Sequence, residues 1–334
     1  MKIAFFEIEK WEEEYIKDKL KKHKLLFFNN ELTNRNINKI KDCDTVCIFI
    51  YSKINKEILD NLPNLKLICT MSTGFDHIDL NECKKRNIIV SNVPYYGENT
   101  VAEHTFALIL ALSRKLIDSV ERVKQNNFNI KGLRGFDVKG KTLGIIGPGH
   151  IGQHVIRMAK GFEMKIIAYA KIKDSELARK FSFRYVSLEN LLKNSDIISL
   201  HCPLNKETEH MISMKNIKLI KKGAYLINTA RGGIVETKAL VYALDHGILA
   251  GAGLDVLEGE CYIKEEKQLL HKKFIKECDW KLFLENHLLL QEKNVIVTPH
   301  NAFNSKEALL RIIDTTIENI NNFINKKRIN VVKI

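Results

Sequence analysis

Apolar runs of strand length alternate along this chain with stretches whose apolar positions recur at helical spacing. Residues 2–6 (Lys-Ile-Ala-Phe-Phe) and 45–51 (Thr-Val-Cys-Ile-Phe-Ile-Tyr) read as strands, and residues 11–22 and 53–62 read as amphipathic helices. That alternation predicts a parallel sheet with crossover helices. Strand-like runs return at 66–70 and 88–90. A single long helix over 101–124 follows, its first half almost wholly apolar and suited to burial at a domain or subunit boundary.

A second series begins at residue 142. Residues 142–146, 165–169, 196–200, 224–228, 251–256 and 294–298 read as six strands with helices between them, the size of a dinucleotide-binding sheet. Residues 258–292 are charged and helical in composition, which predicts an excursion over the sheet edge. A final helix over 306–326 is expected to cross back to the first domain. Neither an internal repeat nor a low-complexity linker interrupts the pattern.

The most informative local motif is Gly147-Pro148-Gly149-His150-Ile151-Gly152, which follows the strand 142–146 and opens a helix over 153–161. In that context the first glycine permits a tight turn, the second lets the backbone approach a pyrophosphate, and the third allows close helix packing. The helix N-terminus then faces the anion. The second strand of an NAD site usually ends in an acidic residue bonded to the ribose. Here it ends Tyr169-Ala170-Lys171. Alanine cannot make that bond, and Lys171 with Lys173 could pair with a 2′-phosphate, so both NAD(H) and NADP(H) stay open.

Three polar residues follow predicted strands at the edge where open α/β sheets bind ligands. Arg231 lies in Asn228-Thr229-Ala230-Arg231-Gly232-Gly233, Glu260 follows Leu254-Asp255-Val256-Leu257-Glu258-Gly259, and His300 follows Thr298-Pro299. A guanidinium can hold a carboxylate and polarise a ketone, while a carboxylate beside an imidazole favours its protonated form. That set suits hydride transfer to a 2-oxo acid, with His300 as the acid in reduction and the base in oxidation. The other histidines, His77, His104, His150 and His201 among them, are expected to lack a matching set of partners.

Composition narrows the picture. At 334 residues and 45% apolar content the chain can bury about two domain cores, and it is neither disordered nor fibrous. No apolar stretch reaches the roughly 18 to 20 residues of a membrane span, so a cytoplasmic protein is expected. The seven cysteines are irregularly spaced, which suits reduced thiols rather than disulfides or a zinc site. A net charge of +13 raises nucleic acid as a partner, but the lysines are scattered among acidic residues rather than gathered in a block. The charge is read as a solvated surface with a modest attraction for anionic substrates.

Several motifs together resemble the D-isomer-specific 2-hydroxyacid dehydrogenases over nearly the whole chain. They are residues 72–79 (Ser-Thr-Gly-Phe-Asp-His-Ile-Asp), Asn92-Val93-Pro94 with Val101-Ala102-Glu103, the glycine turn, Asn228-Thr229-Ala230-Arg231-Gly232, Leu254-Asp255-Val256 and Thr298-Pro299-His300. The resemblance implies two Rossmann-like domains of doubly wound parallel sheet with a cleft between them. Residues 1–99 plus 304–334 would form the substrate domain and residues 100–303 the dinucleotide domain. It also implies a homodimer built largely on the helix after Thr100. Arg231 would bind substrate, His300 with Glu260 would handle the proton, and the backbone amides of Thr73 and Gly74 would hold the substrate carboxylate. Tyr51, Tyr96 and Phe303 stand where the D-lactate dehydrogenase subgroup lines its small pocket. His201, Cys202, Pro203, Thr229, Ala230 and Asp255 would lie along the nicotinamide and adenosine path. Ala170 and the long interval from Glu260 to His300 depart from that subgroup. The rival readings are a glyoxylate, hydroxypyruvate or phosphoglycerate-type reductase, and a nucleotide-sensing corepressor that need not turn over substrate.

Overall fold

Two parallel sheets organise the protein, and each strand tends to be followed by a helix that returns the chain to the same sheet edge. The computed structural model describes residues 1–259 and 280–333. Its backbone divides into two compact units, residues 1–96 with 305–334 and residues 97–304.

In the first unit the strands β1 (Lys2–Phe5), β2 (Lys24–Phe27), β3 (Thr45–Ile48), β4 (Leu67–Thr70) and β5 (Ile89–Ser91) pair in parallel in the order β2-β1-β3-β4-β5. Helices α1 (Lys10–Lys19), α2 (Lys56–Asp60) and α3 (Leu80–Lys85) lie in the connections. Side chains of β3 and β4 are buried throughout, as expected for strands covered on both faces. The expected strand over 45–51 ends at Ile48, and residues 49–52 form a loop instead. β2 and α3 carry no signal in the sequence pattern. Both are short, and β2 is an edge strand without a fully buried residue.

In the second unit the order is β12-β11-β10-β9-β6-β7-β8. The strands are β6 (Thr142–Ile146), β7 (Lys165–Tyr169), β8 (Arg184–Tyr185), β9 (Ile197–Leu200), β10 (Ala224–Asn228), β11 (Leu249–Leu254) and β12 (Val295–Val297). Six of these correspond to the predicted strands; the seventh, β8, is a two-residue edge strand too short to leave a periodic signal. The order reverses beside β6, the switch point at which such sheets bind ligands.

The helix expected over 101–124 is two helices, α4 (Glu98–Ser113) and α5 (Leu116–Lys124). Lys115 takes a left-handed φ of 48°, and the carbonyl of Ser113 accepts the Phe136 N–H at 2.9 Å. A backbone donor from residue 136 thus takes an α4 carbonyl and the helix stops. α4 is buried along Ala102, Phe106, Leu108 and Ile109, whereas no residue of α5 is buried. The remaining helices are α6 (His150–Gly161), α7 (Ser175–Lys180), α8 (Leu188–Asn194), α9 (Thr237–Asp245), α10 (Trp280–Gln291) and α11 (Lys306–Ile324). α11 belongs to the first unit, where it packs on β4 and α1. Among the described residues no helix is long and apolar enough to cross a membrane.

Candidate active site

The glycine turn joins β6 to α6 as its spacing predicts. Gly147 has a φ of 88°, and a Cβ there would stand 2.8 Å from the backbone N of Cys202. A Cβ on Gly152 would stand 2.5 Å from the carbonyl oxygen of Gly147. Only hydrogen fits at either place. Gly149, by contrast, faces open space: a Cβ there would meet nothing within 4 Å, and the residue precedes the first turn of α6. The N–H groups and dipole of that turn make a cradle for a phosphate, so the residues present fit a dinucleotide.

Beyond the turn, β7 ends at Tyr169, followed by Ala170 and Lys171. The Lys171 ammonium lies 2.5 Å from the Glu207 carboxylate, so the first of the two candidate phosphate partners is already paired. His201 and Cys202 continue from β9. His201 accepts or donates at Nε2 to the Ser199 hydroxyl at 2.8 Å, and its Nδ1 is buried without a hydrogen-bond partner. Burial pushes the imidazole down to about 3, and it pushes the Cys202 thiol up to about 11. Both are therefore neutral near pH 7. Pro203 is exposed, and its carbonyl accepts the Thr208 hydroxyl at 2.6 Å.

Arg231 and His300 sit on loops tied to one another through the strand between them. Asn228, at the end of β10, is buried. Its Nδ2 donates to the Arg231 carbonyl at 3.0 Å and its Oδ1 accepts the Ala230 N–H at 3.0 Å. Arg231 Nη1 donates to the Ala230 carbonyl at 2.8 Å. Thr229 is buried and its hydroxyl meets that of Thr105 on α4 at 3.0 Å. The Asn228 carbonyl in turn accepts the N–H of Asp255, 2.9 Å away at the end of β11.

Asp255 is 1% exposed, and its carboxylate is filled by the next loop. It accepts the Thr298 hydroxyl at 2.5 Å, the Asn301 N–H at 3.0 Å and the Ala302 N–H at 2.9 Å. His300 stands inside that span with a left-handed φ of 53°, its N–H donating to the Thr298 carbonyl at 2.9 Å. His104 of α4 reaches Thr298 Oγ1 at 3.0 Å and Asp255 at 3.5 Å. Arg231, Asp255 and His300 thus hang from the carboxyl ends of the adjacent strands β10, β11 and β12. Glu260 lies outside the described residues. Phe303 follows in the same unit, its Cβ 3.8 Å from a Cβ built on Gly97.

Several of the remaining histidines also meet carboxylates. Besides His104, His210 meets Glu258 at 2.5 Å, which raises its imidazole above the ordinary value. His150 and His154 face Glu98 at 3.5 and 3.9 Å. Glu258 also accepts the N–H and hydroxyl of Thr237, so the pair caps α9. Spacing gave no signal for these contacts, since the partners are tens of residues apart.

In the first unit the loop after β4 is bound up by its own side chains. The Ser72 hydroxyl donates to the Gly74 carbonyl at 2.7 Å, the Thr73 hydroxyl to the Val93 carbonyl at 2.9 Å, and Asn92 Nδ2 to the Thr73 carbonyl at 2.9 Å. Those bonds use carbonyls and leave the loop's shape fixed. Tyr96 has its carbonyl held by Arg311 Nε at 2.6 Å, and Tyr51 is exposed on the loop after β3. Among the described residues no three His, Cys, Asp or Glu side chains converge as metal ligands would.

Comparison with known proteins identifies the family. The family model described as D-isomer specific 2-hydroxyacid dehydrogenase, NAD binding domain, matches residues 106–302. A 2-hydroxyacid dehydrogenase homolog of Zymomonas mobilis is 42% identical over 303 residues, covering 89% of this chain and 88% of that one. Glyoxylate reductase of Thermococcus litoralis is 38% identical over 85% of this chain and 81% of its own. The structure of D-lactate dehydrogenase from Aquifex aeolicus complexed with NAD and lactic acid superposes with a TM-score of 0.85 at 38% identity, covering 97% and 96% of the two chains. The chain belongs to the D-isomer-specific 2-hydroxyacid dehydrogenases, an NAD-binding oxidoreductase family.

Proposed function

We propose that the protein reduces a small 2-oxo acid to its D-2-hydroxy acid, with pyruvate and D-lactate as the pair it handles. The observation that carries the reading is the hydrogen-bonded path from the Arg231 carbonyl through Asn228 and Asp255 to the loop of His300. It holds the Arg231 and His300 loops at one sheet edge, where they could otherwise move independently, and that supports a shared role for the two side chains.

Bound NADH or NADPH supplies the hydride. Arg231 pairs with the substrate and polarises its ketone, and His300 gives its proton to the alkoxide oxygen as that charge develops. In the oxidising direction His300 takes the proton back. Glu260 is assigned to orient His300. Within the first unit, the amides of Thr73 and Gly74 are assigned to the substrate carboxylate and Tyr51 and Tyr96 to the small substrate pocket, with Tyr96 donating its hydroxyl; Phe303, in the second unit, is assigned to limit the size of the substrate side chain. His201, Cys202, Pro203, Thr229, Ala230 and Asp255 are assigned to the dinucleotide path. With no acid at Ala170 and Lys171 paired to Glu207, both nucleotides are accepted.

A second copy is assigned to the face of α5. Leu116, Ile117, Val120 and Val123 are each about half exposed there, and Phe128 and Ile130 beyond it are 77% and 83% exposed. Apolar side chains clustered in this way mark an interaction surface, and the family resemblance makes a homodimer the occupant. A cytoplasmic location follows from the same reading.

The test is the loss of NADH or NADPH absorbance with pyruvate, glyoxylate, hydroxypyruvate and larger 2-oxo acids. Pyruvate is expected to give the highest kcat/KM. A higher value with glyoxylate would move the assignment to glyoxylate reduction, and no turnover of any acid despite nucleotide binding would overturn it in favour of a sensor.

A further inference from the structure

Glu7 occupies a place that a glutamate does not favour. It stands two residues past β1 with a φ of 60°, in the left-handed region where glycine and asparagine are usual. Its side chain accounts for the position. The carboxylate accepts the N–H of Tyr51 at 3.0 Å, the N–H of Ser52 at 3.0 Å and the Ser52 hydroxyl, with a further backbone bond from Phe49. Ser52 is fully buried, and its oxygen also accepts the N–H of Leu32 at 2.9 Å. Burial raises the carboxyl group above its ordinary value, opposed by those hydrogen bonds.

The strands explain why Glu7 can reach. β1 and β3 are neighbours with Phe5 opposite Cys47, so residue 7 lies level with the loop that follows β3. That loop is the unexpected one, cut out of the predicted strand over 45–51. Tyr51 is 42% exposed, and its N–H could have been left to water. Instead a strained, partly desolvated carboxylate gathers the amides of one short loop at the carboxyl edge of the sheet, where ligands bind.

We infer that Glu7 is a positioning residue for substrate recognition, clamping the loop 49–52 so that Tyr51 presents its ring at a fixed place to the 2-oxo acid. The inference rests on the reading of Tyr51 given above. Glu7 touches neither substrate nor cofactor, and its effect passes through the backbone of Tyr51.

The test is a double-mutant cycle between Glu7→Gln and Tyr51→Ala, with Ser52→Ala as an independent cut of the same clamp. Glutamine keeps the size but turns an N–H donor toward amide donors. For Glu7→Gln, KM for pyruvate is expected to rise about tenfold, the scale of a lost bond to a charged acceptor, while kcat changes less than about threefold. The nucleotide dissociation constant should hold. In the Tyr51→Ala background, where no ring is left to place, the same change should have little further effect, and Ser52→Ala should raise KM in the same direction. An unchanged KM in a folded Glu7→Gln protein overturns the inference, as does full additivity with Tyr51→Ala. Should Glu7→Gln fail to fold, Ser52→Ala decides by the same criteria. Amide exchange at Tyr51 and Ser52 is measured in parallel and should quicken in either clamp variant; unaltered exchange also refutes the clamp. Wild-type protein that turns over no 2-oxo acid overturns both readings of substrate, while exchange still reports separately on whether Glu7 holds the loop.

Discussion

Replacing Asp255 with asparagine separates the fastening of the His300 loop from the chemistry of His300 itself. The carboxylate is 1% exposed and one oxygen, Oδ1, accepts both Thr298 Oγ1 and the Asn301 N–H, while Oδ2 accepts the Ala302 N–H. An asparagine that keeps its oxygen at the Oδ1 site therefore loses one bond to a charged acceptor, and it turns an amide donor toward the Ala302 N–H. Ala302 is itself buried, so that N–H is left without water. One such bond is worth about 1.5 to 3 kcal/mol and an unsatisfied buried donor costs about 1 to 3 more, part of which is offset because no charge has to be buried. A net loss of about 2 to 3 kcal/mol follows, localised to residues 298–302. Two units need not unfold together, so a single melting temperature is a poor gauge. Amide exchange at Asn301 and Ala302 is the better assay, with a protection loss of about thirtyfold to 150-fold expected for that energy. kcat with pyruvate should fall at least tenfold, because His300 stands within the released span and small misplacements of a proton donor are costly. Retained protection at both amides, or kinetics within about twofold of wild type, would refute the fastening role.

Four further outcomes are expected. His300→Ala should lower kcat by about 10²- to 10⁴-fold with nucleotide affinity nearly intact, measured by steady-state reduction and by fluorescence titration of NADH. Gly152→Ala places a Cβ 2.5 Å from the Gly147 carbonyl, so nucleotide affinity should collapse; binding within about threefold of wild type would disprove the tight turn. Glu207→Gln releases Lys171 from its partner, and the ratio of kcat/KM for NADPH over NADH should rise several-fold, a ratio that stays constant if Lys171 does not face the ribose. Glu258 raises His210 above the ordinary histidine value of 6.5, so the pair's stabilisation is complete below 6.5 and is lost as pH rises through the raised folded value. The partners are partly exposed, so about 0.5 kcal/mol or less is expected, detected as a difference between wild type and His210→Gln in urea unfolding near pH 6 that vanishes near pH 8.5.

What the sequence revealed and what it withheld follow from the range over which each signal acts. The strand and helix alternation was legible because burial on both faces of a parallel sheet demands unbroken apolar runs, and β3, β4 and β9 are buried at every position. The glycine turn was legible because its constraints fall within six residues. β2 and β8 escaped because edge strands bury too little to need a pattern, and the break at Lys115 escaped because the cause is Phe136, twenty-one residues away. The proposed chemistry shows the same division. Arg231 and His300 are visible as residue types after strands, but the path that ties their loops runs through contacts such as Asp255 to Ala302, which no local spacing encodes. Glu7 is the sharpest case. In sequence it is one acid among several before an amphipathic helix, and only the pairing of β1 with β3 brings it level with Tyr51. Residues that act on a ligand are recognised by what they are, whereas residues that place them are recognised by what the fold sets beside them. A substitution chosen from motifs alone would therefore test Arg231, Asp255 and His300 for what they do to a ligand and pass over Glu7 entirely, although Asp255 and Glu7 fix where loops from β12 and β3 can stand.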